Sequence, residues 1–503
     1  MVDDADSSPL SLIKLQQNIE SGHVDTVLVC FTDMQGRLQG KRMHGRYFLN
    51  EVKDHGTEAC NYLLAVDVDM DTVDGYDLTS WDTGYGDFLL KPDLSTLRAA
   101  PWLPSTAMVQ CDVFRLQDHE PVAQSPRQLL KAMVARAAEK GYTALAGTEL
   151  EFMVFDTSYE EAWDGGYRNL VPSNRYNVDY SILGGSRVEP LLRDIRNAMS
   201  TAGLVVESAK GECNLGQHEI AFKYEDVLRT ADQHVVYKTA AKELAARHGK
   251  SLTFMAKYDQ REGNSCHIHM SLRGEGDAPD FAEEDLTDPE RYQVSGLFRS
   301  FLAGMLATLP DFTLFYAPNI NSYKRFQPGS FAPTSVAWGV DNRTCALRVV
   351  GADADLRVIG SPRSLRIENR LPGGDVNPYL ALSAMLAGGL WGVERGLVPS
   401  QGALIGNAYR YRRATIPTRM RELVERGIRN VPASWTAADL DAHLLSVPTS
   451  LEQARDLFAA SPVADAMFGP EVVKHYVNMA DVELAAYARS VTDWERYRGF
   501  ERL

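Results

Sequence analysis

Long apolar runs are missing from the 503 residues. The longest, around Tyr379–Trp391, is too short for the ~20 residues a bilayer crossing needs and is expected to be a buried helix. Cysteine is scarce. The six present (Cys30, Cys60, Cys111, Cys213, Cys266, Cys345) stand singly with no CxxC pair, which excludes a zinc ribbon and gives no disulfide framework. Positive charge is in deficit: 52 Lys and Arg against 67 Asp and Glu, a net −15. That balance argues against a nucleic acid or an anionic membrane as partner. The opening MVDDADSSPL has neither a basic stretch nor an apolar one behind it, so no secretory signal is expected and the protein is expected in the cytoplasm. A P-loop GxxxxGK[ST] and the kinase HRD/DFG set are also lacking, so any phosphate site must be built otherwise.

The length allows a large core and two to four domains. Residues 1–8 are polar and acidic and are expected to be disordered. Ser11–Ser21 carries Leu12, Leu15 and Ile19 at helical spacing. Residues 24–43 read as two strands around a turn at Asp33–Gly36. A small β-rich domain is placed at 9–105 and a larger one at 106–503, where strand and helix patterns alternate. Helices are expected over Gln124–Lys140, Ser186–Gly203, Ala231–Arg247 and Gln293–Leu309. Strands are expected over Thr143–Phe155, Ser251–Lys257 and Cys266–Leu272. The tail from about 417 reads as mainly helical.

Chemistry concentrates in five segments, each read as a strand with like groups on one face, since residues i and i+2 of a strand project together. In GTELEFMVF (147–155), Glu149 and Glu151 share a face. Two adjacent carboxylates repel unless a cation lies between them, although one Glu-x-Glu alone more often marks a solvated strand face. In KGECNLGQHEIAF (210–222), Glu212 and Glu219 flank a turn. In NSCHIHMSL (264–272), His267 and His269 are in register; a lone histidine is more often structural, but a pair is a better metal or phosphate ligand. In RIENR (366–370), Arg366, Glu368 and Arg370 share a face, as in a salt-bridged ladder or a site holding a cation and anions together. The segment 321–348 adds Arg325, Arg343 and Arg348 around a Pro-Gly loop. Oxygen ligands with one imidazole suit Mg²⁺ or Mn²⁺ better than zinc or copper. Hard cations with several arginines suit phosphoryl transfer.

These segments, in this order, resemble the glutamine synthetase family of the bacterial class I kind: GTELEF, GECNLGQHEIAF, HGKSLTFMAKY, CHIHMSL, NSYKRFQPG, NRTCALR and RIENRLPGGDVNPYL. The resemblance implies an α+β fold, with a small β-grasp-like N-terminal domain before a catalytic domain built on a curved antiparallel sheet surrounded by helices. It implies ATP and two or three Mg²⁺ or Mn²⁺ ions per site. Glu151, Glu212 and Glu219 match ligands of a first metal; Glu149, His267 and Glu368 match those of a second. Glu207, His269 and Ser271 match nucleotide contacts. Arg343, Arg348, Arg363 and Arg366 match residues on the nucleotide and the transferring phosphate. Arg325, Arg370 and the backbone of Gly263 match the glutamate site, and Arg343, Arg325, Arg366 and Glu368 are the expected catalytic set. The family's homo-oligomers are double rings, so a dodecamer is expected.

The ammonia side departs from the pattern. The family's PGYEAP loop is PGSFAP here, so Phe331 stands where a carboxylate binds ammonium, and no DGSS-like motif occurs near 55–75. Glu262 replaces an asparagine near the amino-acid site. With the glutamate and phosphate parts retained, the γ-glutamylpolyamine and γ-glutamylamine ligase branch is the expected one, Phe331 packing against an organic amine. The seven aspartates of 67–87, with Tyr76, Trp81, Tyr85 and Phe88, could hold that amine's charge or be a solvated loop. A true glutamine synthetase and a non-catalytic ring protein are the alternatives. The second expects a missing ligand, and all six metal positions are filled.

Overall fold

The computed structural model describes residues 10–286, 292–399, 402–410 and 446–503. The expected disorder of 1–8 and the part of the tail between 417 and 445 lie outside the described residues.

A first sheet is formed by β1 (Thr26–Thr32), β2 (Leu38–His44), β3 (Thr57–Cys60), β4 (Asp87–Pro92), β5 (Arg98–Ala99) and β6 (Thr106–Arg115), in the order β2-β1-β6-β4-β3 with β5 on β6. The β1–β2 hairpin turns where the sequence placed it. The Asp33 carboxylate accepts from Gln35 N at 3.0 Å and Arg37 N at 2.8 Å, and Gly36 adopts φ +79°. β6 pairs parallel with β1 and antiparallel with β4. The first sheet therefore runs ten residues past the expected boundary at 105, Thr106 to Arg115. Residues 106–113 are buried without alternation, the pattern of a central strand covered on both faces.

The second sheet carries β7 (Thr143–Phe155), β8 (Val206–Gly211), β9 (Gln217–Phe222), β10 (Glu225–Asp226), β11 (Ser251–Thr253) and β12 (Cys266–Arg273). After a separate hairpin of β13 (Ala282–Glu284) and β14 (Tyr292–Val294), it is completed by β15 (Trp338–Val340), β16 (Leu347–Val350) and β17 (Arg366–Asn369). Its order is β15-β16-β17-β12-β7-β9-β8, with β10 and β11 on β7. β11 stops at Thr253, short of the expected Lys257. The expected helix from Gln293 starts at Gly296, because Ser295 caps it by accepting from Phe298 N. The helix expected from Ala231 starts at Val227, capped by Asp226.

The helix Pro378–Glu394 is buried from Pro378 to Gly392, as its apolar run requires. Against it lies Gly296–Thr308. A Cβ on Gly304 would stand 2.2 Å from the Gly388 carbonyl oxygen and 2.5 Å from Gly392 N, so glycines set this close approach. Arg127, which is 1% exposed, ties the first sheet to the helix Val227–Arg247. It pairs with Asp93 at 2.8 Å, Asp232 at 2.9 Å and Asp112 at 2.5 Å, and Tyr379 donates to Asp232 at 2.6 Å. Near the C-terminus, the helix Pro470–Arg489 docks on the first sheet's loops. His475 Nε2 lies 2.9 Å from Met34 Sδ, and its ring centre is 4.6 Å from that of Tyr76. Among the described residues, no helix is long and apolar enough to cross a membrane.

Candidate active site

The registers of the second sheet bring the acidic and imidazole side chains together. Glu151 of β7 faces Glu219 of β9. Glu149 faces His267 of β12, His269 faces Glu368 of β17, and Glu368 faces Arg348 of β16. Two triads result. Glu151, Glu212 and Glu219 offer oxygens within 4.8 Å of one another, as do Glu149, His267 and Glu368 with their oxygen and nitrogen atoms.

The first triad is under electrostatic strain. Burial, reinforced by the charge of Glu212, pushes the Glu151 carboxyl up to about 7. Burial likewise lifts Glu219, to about 8, with Lys210 opposing and Glu149 and Glu151 adding to the rise. Lys210 pairs with Glu212 and lies 3.7 Å from Glu219. Glu151 also accepts from Ser265 N at 2.7 Å and Gln217 Nε2 at 3.0 Å.

In the second triad, burial opposes ionisation of Glu149. Its hydrogen bonds with His267 (3.3 Å) and His269 (2.9 Å) outweigh burial and hold the carboxyl well below the usual range. Burial, then the Arg370 charge, brings His267 down to about 4, so the imidazole is neutral at neutral pH. Its Nε2 is buried without a hydrogen-bond partner, and its Nδ1 is 3.6 Å from Glu368. Glu368 is wholly buried, pairing with Arg348 at 2.9 Å and with Arg370. Burial opposes its ionisation, but His267 and Arg370 hold its carboxyl low. Clustered buried carboxylates and a neutral imidazole make a donor set that suits a hard divalent cation.

Two cavities meet at Glu149. The larger, about 660 Å³, is lined by both triads with Gly263, Arg343, Arg348, Arg370 and Phe331. The smaller, about 360 Å³, is lined by Glu149, Glu207, His269, Ser271, Arg363 and Arg366. Arg366 donates to His269 Nδ1 at 3.2 Å, and Arg363 pairs with Asp277. Arg325 stands apart. It is 2% exposed and donates to Ser265 Oγ and the Leu371 carbonyl, both at 2.8 Å. It thus sits behind Ser265 and Gly263 rather than on the cavity surface. A Cβ on Gly263 would stand 2.7 Å from Arg325 Cγ, so glycine is needed for that close packing.

Residues 67–87 reach neither cavity. Tyr76 and Phe88 are core residues, and exposed Trp81 packs edge-on against Tyr85. The amine contact expected from this loop is not formed within the chain. Lys210, Gln217, Ser265, Asp179 and Tyr180 line the larger cavity without having been singled out from the sequence. Lys210 was within reach, because it precedes Glu212 by two.

Residues 123–498 match the family model for the glutamine synthetase catalytic domain. The chain belongs to the glutamine synthetase family. Within that family it is 55% identical over 495 residues to the gamma-glutamylethanolamide synthetase GlnA4 of Streptomyces coelicolor, covering 98% of this chain and 96% of that one. It is 36% identical over 488 residues to the glutamate–isopropylamine ligase of a Pseudomonas species, covering 97% of each. Among solved structures, GmaS in complex with ADP aligns with a TM-score of 0.76 at 25% identity, over 97% of this chain and 99% of that one.

Proposed function

We propose that the protein is an ATP-dependent carbon–nitrogen ligase that joins the γ-carboxylate of glutamate to a small primary amine, with ethanolamine the first acceptor to test. The observation that carries this reading is the larger cavity. It pairs a retained set of carboxylates and arginines with Phe331, an apolar ring where ammonia-using relatives have a carboxylate. The 55% identity to a gamma-glutamylethanolamide synthetase supports the choice of acceptor.

Under this reading, ATP lies along the smaller cavity beside Glu207, His269, Ser271, Arg363 and Arg366, with its terminal phosphate turned toward Glu149. Glutamate enters the larger cavity, its α-carboxylate near Arg370 and its backbone-facing end against Gly263. Arg325 braces Ser265 and Gly263 from behind and so acts on glutamate through them. A γ-carboxylate oxygen attacks the terminal phosphorus and ADP leaves. Arg343 and Arg348 stabilise the negative charge on the phosphoryl oxygens. The nitrogen of the neutral amine then attacks the γ-carbon and loses one proton, and the C–O bond to phosphate breaks, so that the amide forms and phosphate leaves carrying that proton. Glu151, Glu212 and Glu219 would hold one Mg²⁺ or Mn²⁺, and Glu149, His267 and Glu368 a second. Bound there, such ions neutralise phosphate charge.

Phosphate release from ATP with glutamate and Mg²⁺ tests the reading across ammonium, ethanolamine, isopropylamine, putrescine, spermidine, aniline and no acceptor. Turnover with organic amines well above that with ammonium is expected. Turnover with ammonium alone returns the chain to glutamine synthesis.

Three coarser readings accompany this one: a division into a small N-terminal and a large catalytic domain, a cytoplasmic location, and the double ring of the family. The ring is supported by the exposed Trp494, Tyr497 and Phe500 at the C-terminal end. Sedimentation near twelve times 55.8 kDa is expected, and a monomer would overturn the ring.

A further inference from the structure

One corner of the larger cavity is left unassigned by the metal triads and the arginines. There Asp179, Glu212 and Cys213 place oxygen and sulfur atoms within 4.8 Å of one another, and Tyr180, Glu262 and Phe331 line the same cavity. Lys210 engages Glu212. Asp179 is different: among the described residues no cationic side chain pairs with it, and its carboxylate meets only the Cys213 thiol, Sγ to Oδ2 3.7 Å. Asp179 is exposed to the cavity and carries neither a counter-charge nor a triad role among the described residues, whereas Glu262, the other wall carboxylate outside the triads, lies in the field of Lys257.

The chain holds Asp179 there by local structure. Its backbone N–H donates to Asn177 Oδ1 at 2.8 Å. Val178 is fully buried and anchors the turn, Ser181 N donates to the Val178 carbonyl at 2.8 Å, and Tyr180 N reaches the Gly211 carbonyl at 3.4 Å. Tyr180 adopts φ +53°, a left-handed conformation that L-residues avoid. Its ring is 71% exposed as a residue, yet one face is already visited by a cation, with Lys210 Nζ 4.9 Å from its centre. Phe331, on the loop that lines the cavity with it, is also left-handed, at φ +58°. The corner thus offers one free carboxylate next to Tyr180, in a cavity that Phe331 also lines.

An alkylamine arrives at neutral pH as an ammonium ion, and entering a cavity costs that ion its water unless an anion replaces it. We infer that Asp179 receives the ammonium group of the acceptor, with Tyr180 and Phe331 flanking its carbon arm, so that Asp179 selects cationic organic acceptors. This rests on the ligase reading above and adds the residue that recognises the acceptor.

Steady-state kinetics of Asp179→Asn tests it. KM for ethanolamine is expected to rise about tenfold or more, the weight of one charge-assisted hydrogen bond, while KM for glutamate and ATP shift far less. The loss is expected to be much smaller with hydroxylamine, which is uncharged near neutral pH, and Asp179→Glu is expected to recover part of the affinity for ethanolamine. Equal losses for every substrate, or for ethanolamine and hydroxylamine alike, would mark a merely structural residue and overturn the inference. An unchanged KM for ethanolamine overturns it too, and in both cases the ligase reading stands. A wild-type enzyme that ignores organic amines overturns the ligase reading itself.

Discussion

Arg343 is exposed on the wall of the larger cavity, and among the described residues only its carbonyl, accepting from Arg370 Nε at 3.1 Å, takes part in the surrounding hydrogen bonding. Arg343→Ala is therefore expected to keep its melting temperature within about a degree, since exposed substitutions rarely move stability. Its kcat is expected to fall about 10²–10³-fold, as when one oxyanion donor is removed; a fully active variant would remove Arg343 from the phosphate site. Phe331→Glu restores a carboxylate at the ammonia position, and the ratio of ammonium to ethanolamine turnover in the phosphate-release assay is expected to rise by about tenfold. At this scale much was legible. The alternation of β7, β12 and β17 already placed Glu149 with Glu151, His267 with His269, and Arg366 with Glu368. Arg325 was not legible as a buried brace, because its partners Ser265 and Leu371 lie 60 and 46 residues away in the chain and no local pattern signals them. Asp179 escaped notice for a similar reason: it sits in an irregular segment, where spacing carries no orientation.

At the scale of elements, the glycine contact between Gly296–Thr308 and Pro378–Glu394 decides how closely two core helices approach. Gly304→Val forces side-chain atoms against the Gly388 carbonyl. It is expected to destabilise the fold by about 1–3 kcal/mol or more, as overpacking does, read as a drop of several degrees in a thermal melt. An unchanged melting temperature would mean that the helices separate freely. Helix interiors were well read from apolar spacing, while their ends were shifted by caps: Asp226 starts one helix four residues early and Ser295 starts another three residues late. The strand β6 lies past the expected boundary at 105 yet pairs with β1 and β4 of the first sheet, a long-range pairing that no local pattern signals.

For the whole molecule, the docking of the helix Pro470–Arg489 on the N-terminal loops depends on a neutral His475. Burial holds its imidazole down to about 3, against a value near 6.5 in an unfolded chain. The unfolded state therefore takes up a proton first as pH falls, and stability is lost from about pH 6.5 downward at up to ~1.4 kcal/mol per pH unit until the folded form also protonates. Denaturant titrations of His475→Phe between pH 7 and 5 are expected to show a shallower decline than wild type; identical slopes would place the acid sensitivity elsewhere. The remote pairing of this helix with Met34 and Tyr76 was invisible in the sequence, as was the Arg127–Asp232 pair, since both join residues a hundred or more positions apart. Finally, Glu149 is held by two histidines, one lining each cavity. A side chain shared in this way makes the two occupants thermodynamically linked, and linkage is reciprocal. Whatever factor bound nucleotide applies to the affinity for the amino acid, the amino acid must return to the nucleotide, and weakening the shared carboxylate should shrink both factors together.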